Sequence, residues 1–224
     1  MGKKIAIDGP AGAGKSTIAR LVAGKLSFIY VDTGAMYRAI ALYFIRQGAD
    51  GSDTGMIKEK CREAEVSIRY ENQEQEVYLN GERVTPFLRT GEVSRMASCC
   101  SAVAEVRSHL LDLQRGLARE YNVVMDGRDI GTTILPDAEV KIFLTASVEV
   151  RAKRRYLELL EKGEPCDLEQ IKAEISERDE RDRTRAASPL VKAEDAILVD
   201  SSDMTIDETA NKILEIVLEQ MGCK

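Results

Sequence analysis

The chain has 224 residues, of which 44% are hydrophobic and 31% charged, and a formal net charge of −6. That length supports one sizeable core with a small lobe or two; the acidic balance argues against a broad nucleic-acid surface, and no apolar run approaches the ~20 residues of a membrane span. Cys61, Cys99, Cys100, Cys166 and Cys223 fall in no C-x-x-C or Cys/His ligand pattern and read as free thiols of a reducing cytoplasm, while the single histidine, His109, gives no basis for histidine-centred metal or triad chemistry.

Met1-Gly2-Lys3-Lys4 runs straight into the apolar stretch Ile5-Ala6-Ile7, so no leader peptide is expected and 4–8 reads as a buried strand. Gly9-Pro10-Ala11-Gly12-Ala13-Gly14-Lys15-Ser16 follows, a complete G-x-x-x-x-G-K-[ST] loop. Thr17 continues into a helix over about 15–26, with Ile18, Leu21, Val22 and Leu26 at helical spacing. Glycines let such a loop curl its N–H groups toward phosphate oxygens, and the helix N-terminus adds its positive dipole end. Lys15 can then reach β- and γ-phosphates, and the Ser16 hydroxyl can take a Mg²⁺ position. The loop is expected to bind a nucleoside triphosphate.

Further strands are expected at 28–32, 123–126, 141–145 and 196–200. Helices are expected at about 34–47, 91–120 (broken), 147–162, 167–182 and 205–221, with Ser147, Asp167 and Asp203 or Thr205 placed to cap. Short, strongly apolar strands alternating with helices imply a five-stranded parallel sheet inside a three-layer α/β/α fold. One segment breaks the rhythm. Residues 67–70 and 76–79 alternate polar and apolar, and Asn80-Gly81 supplies a type I′ turn, so 65–86 reads as an inserted antiparallel ribbon. The Gly/Asp/Ser-rich stretch 48–55 reads as a turn-rich hinge.

A GTPase would need N-K-x-D and D-x-x-G elements, and an ABC-type ATPase an L-S-G-G-Q-like signature; none occurs. Instead Val123-Val124-Met125 ends in Asp126-Gly127-Arg128-Asp129, and an Asp closing a buried strand beside a phosphate loop can hold Mg²⁺ through water. Arg178, Arg181, Arg183 and Arg185 fall within eight residues, the first, second and fourth on one helix face. Beside a phosphate loop in an acidic chain, these and Arg128 read as a second phosphate clamp, because guanidinium forks match phosphate oxygens bidentately.

Gly9–Ser16, Asp32-Thr33-Gly34-Ala35-Met36-Tyr37-Arg38, Asp126-Gly127-Arg128-Asp129-Ile130-Gly131 and Glu177–Arg185 occur in an order and spacing that closely resemble the bacterial cytidylate kinases, a family of nucleoside monophosphate kinases. The resemblance runs from Lys4 to Leu218. It implies one P-loop NTPase-type kinase domain over 1–224, with a monophosphate-binding lobe at about 33–107 that contains the ribbon, and a helical lid at about 151–165. It implies phosphoryl transfer from ATP to CMP, with dCMP a second acceptor and Mg²⁺ required. A cytoplasmic monomer with no membrane or nucleic-acid partner is expected. By the same resemblance Thr33 and Arg38 contact the acceptor nucleotide, and Ser98, Arg107 and Asp126 read the cytosine ring. Arg128, Arg178 and Arg185 bind phosphate and act with Lys15 in catalysis, and Asp182 lies near the ribose hydroxyls. Arg151, Arg154 and Arg155 of the lid are candidates for the donor phosphates. A carboxylate can accept from the cytosine amino group while Arg107 and Ser98 donate to N3 and O2, so base reading by Asp126 ranks ahead of metal contact.

Overall fold

The computed structural model describes residues 2–72 and 74–222; Met1 and Cys223 lie outside them. Five strands form the main sheet: β1 (Lys4–Asp8), β2 (Ile29–Asp32), β6 (Val123–Gly127), β7 (Val140–Thr145) and β8 (Ile197–Asp200). All pair in parallel in the order β2-β6-β1-β7-β8, which places β1 at the centre and leaves β2 at one edge.

Successive residues of a strand face opposite sides, and the two cores divide accordingly. Ile5, Ile7, Val124, Ile142 and Leu144 meet α1 (Lys15–Leu26) and α8 (Ile206–Gln220) through Ile18, Val22, Ile213 and Val217. Ala6, Val31, Val123 and Met125 face the larger core of α2 (Thr33–Arg46), α4 (Gly91–Cys100) and α5 (Ala104–Glu120), where Met36, Ile40, Phe44 and Leu110 are fully buried. α6 (Val148–Glu161) and α7 (Leu168–Thr184) share a smaller apolar contact around Ala152, Ile171 and Ile175. Ser147 and Asp167 cap their helices, and of the two candidates for the last helix it is Thr205 that caps, closing a reciprocal box with Glu208.

The ribbon consists of β3 (Val66–Glu71), β4 (Glu74–Leu79) and β5 (Glu82–Arg83), antiparallel throughout. Asn80 and Gly81 turn with φ of 49° and 83°, the positive pair a type I′ hairpin requires. Val77 and Leu79 carry its inner face into the larger core.

One local feature departs from the sequence expectation. The hinge-like stretch runs into a short helix, α3 (Thr54–Lys60), with Ile57 as its one buried anchor. The broken helix expected over 91–120 divides at Ser101–Val103 into α4 and α5. After β6 the chain makes a single wide turn, Ile130–Ile134, closed by Leu135 N–H donating to the Ile130 carbonyl at 2.7 Å. Of the cysteines, Cys61 and Cys100 are buried, Cys99 and Cys166 are half-buried, and all four are free thiols. His109 lies on α5 with Nε2 3.0 Å from the Ala64 carbonyl oxygen.

Where β1 ends, Gly9 has φ 149°, and a Cβ there would stand 1.9 Å from the carbonyl oxygen of Leu144 on β7. The loop therefore leaves the sheet in contact with the neighbouring strand. Gly9→Ala is expected to destabilise the fold by at least about 2 kcal/mol, measured by urea unfolding.

Candidate active site

The loop of residues 9–16 caps the C-terminal end of the central strand and feeds the N-terminus of α1. This is where an open parallel sheet places its ligands. Gly12 and Gly14 hold φ of 73° and 84°, so the backbone curls as the motif requires. Ala11 is gripped from both sides. Its N–H donates to Asp179 Oδ1 at 3.3 Å, and its carbonyl accepts from Arg151 at 2.8 Å. Arg151 and Asp179 are themselves paired at 2.7 Å, and a third Arg151 bond reaches the Ala146 carbonyl. Arg151 thus braces the loop's backbone from α6. Arg154 bonds the carbonyl and hydroxyl of Ser201, and Arg155 pairs with Glu158 on the surface. Thr17 is exposed beside the loop.

Lys15 is buried, and its ammonium donates to the Pro10 carbonyl at 2.7 Å. Burial, with Arg128 and Arg178 nearby, lowers its pKa to about 7 against the opposing pull of Asp126 and Asp8. Asp8, at the end of β1, accepts N–H bonds from Ile130 and Gly131 at 2.8 and 2.7 Å, tying the wide turn to the loop's base. Burial raises its pKa to about 6.

Asp126 lies on the loop's side of the cleft. Its Oδ2 accepts from the Ser16 hydroxyl at 3.0 Å and its Oδ1 from the Tyr30 hydroxyl at 2.9 Å. Burial and the facing Asp32, its partner in the β2–β6 register, raise its pKa to about 6. No group of three or more His, Cys, Asp or Glu suited to a metal occurs among the described residues. Mg²⁺ does not need one, because it keeps most of its water and shares substrate phosphate oxygens. The hard-oxygen pair Ser16–Asp126 fits such an ion.

A second cluster lies across the C-terminal end of β6. Arg107, from α5, is paired with Asp129 and donates to the Ser101 carbonyl at 3.2 Å; its guanidinium lies 5.4 Å from the Tyr37 ring centre. Arg185 reaches the same place, 3.4 Å from the Ser101 hydroxyl and 3.6 Å from Asp129 Oδ1. Ser98, buried on α4, accepts from Arg181 at 3.0 Å. A cavity of about 160 Å³ beside the cluster is lined by Tyr37, Arg107, Gln114 and Asp129 among others. The carboxylate beside Arg107 is therefore Asp129, whereas the sequence reading had placed Asp126 there. Asp126 lies within β6 and meets Ser16, whereas Asp129 follows the end of that strand, just before the wide turn, and meets Arg107. Nothing in the linear run Asp126-Gly127-Arg128-Asp129 tells the two carboxylates apart.

Between the clusters stand Arg128 and Arg178. Arg128 donates to Asp182 at 2.8 Å. Burial alone would raise the Asp182 pKa, but Arg128, Arg178 and Arg185 hold it below the usual carboxylate range. Arg178 Nε is buried without a hydrogen-bond partner, and its guanidinium enters no ion pair among the described residues. Burial and the adjacent Arg128 lower its pKa to about 10. Arg38, on α2, pairs with Asp32 at 2.8 Å and also keeps an orphaned Nε. Thr33 donates to the Asp126 carbonyl at 2.7 Å. Orphaned buried guanidinium nitrogens are costly unless an anion completes them.

No helix among the described residues is long and apolar enough to cross a membrane. The family profile described as cytidylate kinase matches residues 5–219. The cytidylate kinase of Carboxydothermus hydrogenoformans is 51% identical over 214 residues, 96% of this chain and 96% of that protein. That of Shouchella clausii is 50% identical over 218 residues, 97% of each. Among solved structures, an uncharacterized protein from Eubacterium ventriosum shares the fold with a TM-score of 0.52 at 14% identity, covering 98% of this chain and 99% of that one.

A triphosphate held against Lys15 would favour its ammonium form, whereas burial lowers the pKa of the free site to about 7. Triphosphate binding at about pH 8.5 is therefore expected to take up close to one proton, and Lys15→Met to abolish that uptake. Calorimetry in buffers of different ionisation enthalpy measures it.

Proposed function

The chain belongs to the cytidylate kinase family, and from that premise we propose that it transfers the γ-phosphoryl group of ATP to CMP, and to dCMP, in a Mg²⁺-dependent reaction. One observation carries the proposal. A triphosphate loop and a base-sized cluster, Arg107–Asp129, flank arginines whose buried nitrogens lack partners.

In this reading the loop N–H groups and Lys15 hold the donor phosphates. Ser16 and Asp126 hold the metal, which when bound neutralises charge on the β- and γ-oxygens. Asp129 is assigned the base-reading role: its carboxylate accepts from the cytosine amino group while Arg107 donates to N3 and O2. Uracil presents O4 and N3–H instead, leaving both groups mismatched. Thr33 and Arg38 bear on the acceptor nucleotide, Ser98 orders Arg181 at the base cluster, and Asp182 serves the ribose hydroxyls.

The attacking group is a phosphate oxygen already ionised at neutral pH, so the chain need supply no general base. What it supplies is alignment and fixed positive charge. Arg128, Arg178 and Arg185 stand where charge spreads as the phosphoryl group moves. The distal turns of α6 and the loop that follows act as the lid that excludes water, with Arg154 and Arg155 as the candidates for reaching the donor. A monomer acting on free nucleotides in the cytoplasm is part of this proposal.

Initial rates with ATP and each of CMP, dCMP, UMP and AMP test the assignment. CMP and dCMP are expected to exceed UMP and AMP by about a hundredfold or more in kcat/KM. Equal rates would remove it. Asp129→Ala should narrow the CMP:UMP ratio. Asp126→Ala should instead lower turnover and weaken the response to Mg²⁺ with that ratio unchanged. Arg178→Ala should cut kcat by about 10²–10³, the loss typical of one preorganised charge.

A further inference from the structure

The outer edge of β2 is covered by side chains of the ribbon. An edge strand presents unpaired N–H and C=O groups, which proteins cover or charge. Here the Gln75 side chain takes the place of a neighbouring strand. Its Oε1 accepts from the Asp32 N–H at 2.8 Å, and its Nε2 donates to the Asp32 carbonyl at 3.1 Å. The Tyr70 hydroxyl donates to the Tyr30 carbonyl at 3.2 Å, two residues earlier on the same edge. Tyr70 and Gln75 are direct cross-strand partners on β3 and β4, so the two contacts are delivered by one rung of the ribbon.

Asp32 is the residue on which the start of α2 turns. Its side chain accepts the Ala35 N–H at 2.9 Å, capping the helix, and holds Arg38 at 2.8 Å. The next residue, Thr33, is bonded to the Asp126 carbonyl. Asp32 and Asp126 also face each other in register across β2 and β6. The peptide atoms of Asp32 are therefore clasped by the ribbon, while its carboxylate aims a cation whose Nε is buried without a partner.

We propose that Gln75 is a positioning residue for the acceptor site. By fixing the Asp32 backbone it sets the direction of the Asp32 carboxylate, and through it the guanidinium of Arg38. The ribbon is then a working part of acceptor binding rather than a surface decoration. This rests on the reading of the cleft as a CMP kinase site.

The test measures KM and kcat for CMP and, separately, KM for ATP. Gln75→Met keeps the length and apolar stem but removes both hydrogen bonds, and Gln75→Ala removes the side chain. Both are expected to raise KM for CMP about five- to tenfold while KM for ATP stays within about twofold. In an Arg38→Ala background the further Gln75→Met change should add little, because the two residues act along one path. Equal rises in both KM values, additive effects with Arg38→Ala, or no change in KM for CMP would each overturn the proposal. Wild-type protein that phosphorylates no CMP would instead overturn the underlying function.

Discussion

Like charge crowded into a partly dry cleft is the constraint around which this molecule is arranged. Lys15, Arg38, Arg107, Arg128, Arg178 and Arg185 converge at the C-terminal ends of β1, β2 and β6, where water is scarce and repulsion poorly screened. Five carboxylates compensate by position, Asp8 and Asp126 acting on Lys15 and three more on the arginines. Asp129 sits between Arg107 and Arg185, Asp182 takes Arg128, and Asp32 takes Arg38. The compensation is incomplete, with orphaned guanidinium nitrogens on Arg38, Arg107, Arg178 and Arg185. Donors left open in this way favour an anionic acceptor before any specific contact is counted.

The sheet order makes that crowding possible. With β1 central, its loop lies between the end of β6, which supplies Asp126 and Arg128, and β7, which contacts Gly9. α7 then runs past the cleft, so that Asp179 reaches the loop, Arg178 and Asp182 the middle, and Arg181 the base-side cluster at Ser98. One helix face thus spans both halves of the site. Replacing a single member leaves its partner buried and unpaired, which costs more than the pair contributes.

Much of this was legible in the sequence because it rests on short-range rules. The strands show as apolar runs, the loop as a fixed spacing of glycines and Lys15, and the ribbon as alternation closed by Asn80-Gly81. What was not legible depends on the meeting of distant segments. α3 is seven residues long with Ile57 as its only buried side chain, too little for a periodic signal. The wide turn at Ile130–Ile134 is held by a carboxylate more than a hundred residues earlier, Asp8. Asp126, inside β6, meets Ser16, while Asp129, between the strand and the turn, meets Arg107, a division that a linear motif cannot display. Gln75 is more hidden still. It is an ordinary polar residue in a polar hairpin until the edge of β2 is seen beside it.

The grip on Ala11 by Arg151 and Asp179 bears on how the molecule can flex. Arg151 is buried and bonded to Ala11, Ala146 and Asp179, so the first turn of α6 is fastened to the floor of the cleft. A lid of the kind proposed above would therefore pivot beyond that turn, like a drawbridge whose hinge is set in the masonry. The cradle would then keep its shape while the far end swung, and the entropy of forming it would not be lost again in each turnover.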